Sequence, residues 1–173
     1  KITEQIILFS PTRGTVGTVV TVSGNGFGNT ERVNIDFGNK PTITFVTTNT
    51  YGTFTVNFTV DTQVYGTKTV TMKSVQTGLT QTKLFFIDQR IVSITPTCGT
   101  VGKYVTVKGD GYYFNSDTGE GDWVYLRFGE TSSIMSTVGV PDATVLPDGS
   151  FEFVFTVNHQ PMGATMVKSY HMD

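Results

Sequence analysis

The chain has 173 residues, enough for one large domain or two small ones, each able to bury a modest core. Charged residues make up 15% against roughly 25% in soluble domains, and the net charge of −2 comes with no basic stripe that would mark a nucleic-acid partner. A single cysteine, Cys98, excludes intrachain disulfides and thiolate metal clusters, and apolar runs of only a few residues exclude a membrane span in this stretch.

In chain order, the first expected strand is Lys1 to Phe9, with Ile2, Ile6, Ile7 and Leu8 as its apolar residues. Val20 and Val22 form an inward pair, and Val33, Ile35 and Phe37 form an inward set. Phe54, Val56, Phe58 and Val60 then alternate with Thr53, Thr55, Asn57 and Thr59, the period of two that marks a half-buried strand. Leu84 to Ile87 reads as the last strand of a first unit, and Ile91 to Ile94 as the first strand of a second. The same sets return as Val105 and Val107, as Val124, Leu126 and Phe128, and as Phe151, Phe153, Phe155 and Val157. Thr is β-branched and suits an exposed strand face, and no window shows helical periodicity.

The recurrence is an internal repeat. Ser10-Pro11-Thr12-Arg13-Gly14-Thr15-Val16-Gly17 returns as Thr95-Pro96-Thr97-Cys98-Gly99-Thr100-Val101-Gly102, 85 positions later. Thr21 to Phe27 returns as Thr106 to Tyr112 at the same offset. Phe37-Gly38 returns as Phe128-Gly129 at offset 91, and Gly52 to Val60 as Gly149 to Val157 at offset 97. The second copy therefore carries two six-residue insertions, one before Phe128 and one before Gly149. Short strands at regular spacing with Gly-rich turns predict an all-β chain of two tandem immunoglobulin-like β-sandwiches, residues 1–88 and 89–173.

Pro-Thr-x-Gly-Thr-Val-Gly, a Val-rich strand, Gly-x-Gly-Phe/Tyr, Phe-Gly and the later Gly-x-Phe strand together resemble the IPT/TIG domain over nearly all of both repeats. The resemblance implies an immunoglobulin-like fold of the kind found in prokaryotic surface proteins, plexins and some transcription factors. The basic loops with which the last group binds DNA are missing here. Fold follows from such a resemblance better than function does.

Catalytic chemistry is sparse. Gly24-Asn25-Gly26-Phe27-Gly28 has the glycine content of a phosphate loop, but a strand pattern follows where that loop needs a helix, so it reads as a turn. Cys98 stands where the first repeat has Arg13, in a turn, and reads as an exposed thiol rather than a nucleophile. His159 and His171 have no ligand partner at a metal-like spacing. Asn57-Phe58-Thr59 is a glycosylation tripeptide, and the alternation points Asn57 outward, although such tripeptides also arise by chance.

The first insertion offers Asn115, Asp117, Glu120 and Asp122, oxygen-bearing side chains spaced by small residues as a loop around Ca²⁺ would be. A solvated acidic loop is the competing and preferred reading. Tyr112 takes the place of Phe27 and is expected in the core. Tyr125 alternates with Val124 and Leu126 and is expected to face outward. Tyr113 and Trp123 either stack on a surface glycan or a neighbour, or close the end of the sandwich, which is preferred.

By the repeat, the strand Leu84 to Ile87 would return near positions 181–184, so the second unit is expected to lack its last strand within this stretch. Two remedies are expected, a strand supplied by continuing chain or one donated by another copy. Ile2, Ile6, Ile7 and Leu8 are the candidate donor, though they are also wanted as the first strand of their own unit. The linker of about three residues at Asp88-Gln89-Arg90 reads as short and stiff. Function is then expected to be structural: a non-enzymatic extracellular module of a surface layer, stalk or filament, with neighbouring repeats or copies of itself as partners. The alternative is an adhesin or carbohydrate-binding accessory module, possibly of a larger secreted enzyme.

Overall fold

The computed structural model describes residues 7–115, 117–121, 123–129 and 143–171. It is all-β, and the chain divides into two compact units, one of residues 1–61 and 66–88, the other of residues 62–65 and 89–173.

The first unit contains β1 (Ile7–Ser10), β2 (Arg13–Thr15), β3 (Val19–Gly24), β4 (Arg32–Phe37), β5 (Lys40–Thr47), β6 (Phe54–Thr59), β7 (Gly66–Ser74) and β8 (Thr80–Asp88). One sheet has the order β1-β3-β6 and the other β2-β8-β7-β4-β5. Inward positions alternate as the sequence predicts: Val20, Val22, Val33, Ile35, Phe37, Phe58 and Val60 are buried, and Thr55 and Asn57, between Phe54, Val56 and Phe58, are exposed. Each fully buried side chain of this kind contributes about 1.5–3 kcal/mol.

The second unit contains β9 (Arg90–Thr95), β10 (Tyr104–Asp110), β11 (Phe114–Asn115), β12 (Glu120–Gly121), β13 (Trp123–Phe128), β14 (Ala143–Thr144), β15 (Phe151–Thr156) and β16 (Val167–His171). Its sheets have the orders β15-β10-β9 and β14-β13-β16, with β11 and β12 paired as a separate hairpin.

The two units share one register. The pair Val20↔Phe58 returns as Val105↔Phe155, and Phe9↔Val22 as Ile94↔Val107. Val33↔Ser74 returns as Val124↔His171, and Val33↔Val46 as Val124↔Ala143. The β14 equivalence places the second insertion between Gly129 and Ala143, earlier than the Gly149 signature alone can locate it. Gly24 and Gly109 are matched by a physical need as well. A Cβ there would stand 2.5 Å from the Phe54 ring and 2.2 Å from the Phe151 ring, so the aromatic of the neighbouring strand lies over a residue with no side chain.

One element departs from expectation. The sequence pattern does not reveal β2, a three-residue strand that pairs in parallel with β8 (Arg13↔Phe86, Gly14↔Ile87). The Arg13 guanidinium fixes it from outside, donating to Asp88 at 2.7 Å with its carbon 4.8 Å from the Phe86 ring centre. Of the apolar N-terminal run, β1 pairs with β3 in its own unit and Ile7 is buried in that core, the place expected of a first strand. Leu8 faces solvent, and Ile2 and Ile6 lie outside the described residues.

Candidate functional site

The units differ most where β8 sits in the first. There β8 runs between β7 and β2 and closes the space between the sheets. Phe85 and Ile87 are fully buried, and the Phe85 ring meets Phe9 and Phe37 edge-on at 6.3 and 5.9 Å between centres. In the second unit, among the described residues, β16 pairs with β13 alone, and Cys98–Thr100, the counterpart of β2, forms no ladder. A groove of about 730 Å³ occupies that place, with Ile94, Val105, Phe128, Phe155, Val157 and Val167 in its wall. The counterparts Phe9, Val20, Phe37, Phe58, Val60 and Val70 belong to or pack against the closed core of the first unit. Val16 is 8% exposed and its counterpart Val101, also in the groove wall, is 50% exposed. A shallower concavity of about 540 Å³ in the first unit is lined mainly by Ser, Thr and Asn and contains no titratable group.

Two polar arrangements are built into the cores. Tyr112 is buried against Phe151, edge-on at 4.7 Å, and its hydroxyl meets Ser169 Oγ at 2.7 Å. The first unit has Phe27 and Met72 at these positions. The smaller Ser leaves room for the phenol oxygen and supplies its partner, as a buried hydroxyl requires. Burial pushes the Tyr112 phenol pKa up, with the Ser169 contact opposing it and the Asp110 charge adding to it. Glu31 escapes a pattern-based reading because a lone carboxylate beside a turn has no periodicity. It is buried, accepts the Gly28 N–H at 2.7 Å and the Ser74 hydroxyl at 2.7 Å, and its own N–H donates to Thr48 Oγ1 at 2.9 Å. It thereby joins the Gly-x-Gly turn to the ends of β5 and β7, a structural role. The available signal is its position just after that turn in a chain poor in charge.

The residues singled out by sequence are dispersed. Asn115 Oδ1 accepts the backbone N–H of Asp117 at 3.0 Å and of Thr118 at 3.3 Å, closing the turn between β11 and β12. The Asp117 side chain is exposed, and Asp122 and the Glu120 side chain lie outside the described residues. Among the described residues no three His, Cys, Asp or Glu side chains gather as a metal ion would require. Tyr113 is exposed and Tyr125 half-buried, while the Trp123 side chain lies outside the described residues. Asn57, Cys98 and His159 are exposed, and the His171 side chain lies outside the described residues. Among the described residues no helix is long and apolar enough to cross a membrane.

Residues 5–86 match the family model described as the IPT/TIG domain, which supports an immunoglobulin-like domain of that kind in the first repeat. No curated protein matches the chain. Among solved structures it is similar to invasin, a bacterial integrin-binding protein, at 15% identity over 98% of this chain and 36% of that one, with a TM-score of 0.46. It is also similar to the BSP domain of a biofilm associated protein, at 20% identity over 96% of this chain and 26% of that one, TM-score 0.32. A Salmonella alpha-2-macroglobulin reacted with methylamine matches at 11% identity over 96% of this chain and 14% of that one, TM-score 0.36. The chain thus spans about a third or less of the length of each of these structures.

Proposed function

We propose that the chain is a non-catalytic module of an extracellular, cell-surface polypeptide, in which one sandwich is repeated to build a layer, stalk or filament. The observation that supports this most is the repetition itself. Two copies keep one strand register, and only Gln89 separates the last strand of the first from the first strand of the second. A repeat whose neighbours follow directly suits a spacer, because function then lies in length and surface rather than in a cleft. The outer face of β6, with Thr55, Asn57 and Thr59 exposed, is polar with few charges, as a wetted structural surface is. Partners on this reading are neighbouring repeats or copies of the chain, and Asn57 is placed where a glycan could be attached. A calcium ion at the β11–β12 hairpin is not needed by it.

The carbohydrate-binding alternative would rest on Tyr113, Tyr125 and Trp123. Antibodies raised against residues 1–173 are expected to label intact, unpermeabilised cells that make the protein, in a continuous coat or along extended structures visible by electron microscopy. Labelling only after permeabilisation contradicts the proposal. Diffuse surface labelling, together with glycan binding lost in Tyr113→Ala, supports the alternative instead.

A further inference from the structure

We infer that the shallow concavity of the first unit is a binding site for a neutral saccharide, because it is uncharged at the places where its counterpart in the second unit is charged. The inference stands apart from both readings above, since the described lining of the concavity belongs to the first unit.

The two units differ here in one direction. The cross-strand row Leu8–Ser23–Thr55 returns as Ser93–Lys108–Glu152. Lys108 and Glu152 form an ion pair at 2.8 Å, whereas Ser23 and Thr55 join their hydroxyls at 2.8 Å. Asn25 returns as Asp110, which accepts two hydrogen bonds from the Arg90 guanidinium at 2.9 and 3.0 Å. Before β6, Asn49 Oδ1 accepts the backbone N–H of Thr53 at 3.0 Å, and before β15 the Asp148 carboxylate accepts that of Ser150 at 2.9 Å. Charged groups serve the fold at all three places, so the fold does not demand the neutral ones. What neutrality supplies is a set of groups that both donate and accept. One of Ser23 and Thr55 donates to the other, which leaves the acceptor's own O–H for a ligand. Asn49 Nδ2 donates to Thr53 Oγ1 at 2.6 Å, so the Thr53 hydroxyl likewise keeps its hydrogen. Leu8, 67% exposed, stands beside them as an apolar wall. Sugar hydroxyls donate and accept in the same way, and the C–H face of a pyranose ring suits a leucine. Among the described residues the lining offers no cation to a carboxylate or phosphate and no carboxylate to an amine, so a charged ligand would lose water without compensation. The volume of about 540 Å³ falls in the range of roughly 300–1,000 Å³ that small-ligand sites have.

The probes are maltotetraose, cellotetraose, mannotetraose and tetraacetylchitotetraose, each added to the intact chain and followed through its amide NMR resonances. Saturable shifts at Ser23, Thr53 and Thr55 are expected from at least one of them. Tetragalacturonate, an anion, and chitotetraose with free amines, a cation, are expected to leave those resonances in place. The matching monosaccharide separates the sources of the ligand: saturation at the same concentration marks a free sugar, and weaker saturation marks a glycan chain. Ser23→Lys with Thr55→Glu installs the ion pair that the second unit already accommodates in this row, and is expected to weaken binding about tenfold or more. Thr53→Val, which removes one hydroxyl and keeps the shape, is expected to weaken it about fivefold. Absence of shifts with all the neutral tetrasaccharides, equal shifts from the charged ones, or binding indifferent to both variants overturns the inference. Shifts confined to Tyr113 and Tyr125 overturn it as well, and place saccharide binding in the second unit.

Discussion

Replacing Phe85 by Ala is expected to lower the unfolding free energy of the first unit by about 3–5 kcal/mol, the range for removing a buried aromatic ring. The ring is fully buried and meets Phe9 and Phe37, from opposite sheets, so its loss opens a cavity where the sandwich is held shut. A domain of this size has only about 5–15 kcal/mol in total, so the variant first unit becomes marginal. The neighbouring Leu84 is 61% exposed, and Leu84→Ala is expected to change stability by less than about 0.5 kcal/mol. Urea unfolding followed through amide resonances of each unit measures both. The second unit's resonances should be unaffected, since Phe85 belongs to the first unit's core. A loss under about 1 kcal/mol for Phe85→Ala would mean that β8 does not close the first core.

The second large effect concerns Tyr112. Tyr112→Ala is expected to destabilise the second unit by about 3–5 kcal/mol, and Tyr112→Phe by about 1 kcal/mol for the lost hydroxyl contact with Ser169. The hydroxyl also sets a pH dependence. Burial raises the phenol pKa above the value of about 10 that it has when unfolded. A raised pKa in the folded state means that the contribution is fully present below about pH 10 and is lost as pH rises through the folded value. The difference in stability between the native chain and Tyr112→Phe should therefore shrink above pH 10 and be constant from pH 6 to 9. A difference that grows above pH 10 would contradict the burial of a neutral phenol.

Much of this fold is legible in sequence because each element is written twice. Alternation along Phe54–Val60 identifies a strand and its inward face, and the copy at Phe151–Val157 confirms the period. The offsets of 85, 91 and 97 then carry register from one unit to the other, so Val33↔Ser74 implies Val124↔His171. What occurs once is harder to read. Three residues, Arg13 to Thr15, are too few for a period, and the partner of β2 lies more than seventy residues away. The hairpin of β11 and β12 lies in an insertion that has no copy, and its oxygen-rich composition draws attention to cations rather than to the turn that Asn115 closes. The candidate groove is legible in part. The repeat alignment locates the wall residues Ile94, Phe128 and Phe155 as counterparts of Phe9, Phe37 and Phe58. Met162 to Thr165, which border the groove, belong to no periodic pattern.

The most direct test of the account, that the second unit repeats the register of the first but, among the described residues, has β16 paired on one side only, is amide hydrogen exchange resolved by residue in β7 and β16. In β7, flanked by both β4 and β8 from Val70 to Lys73, amides of both orientations are bonded across the sheet and should be protected over those residues. In β16, flanked by β13 alone among the described residues, protection should alternate, with every second amide from Val167 to His171 exchanging fast. Uniform slow exchange along β16 would show that its outer edge is already paired and would contradict the account.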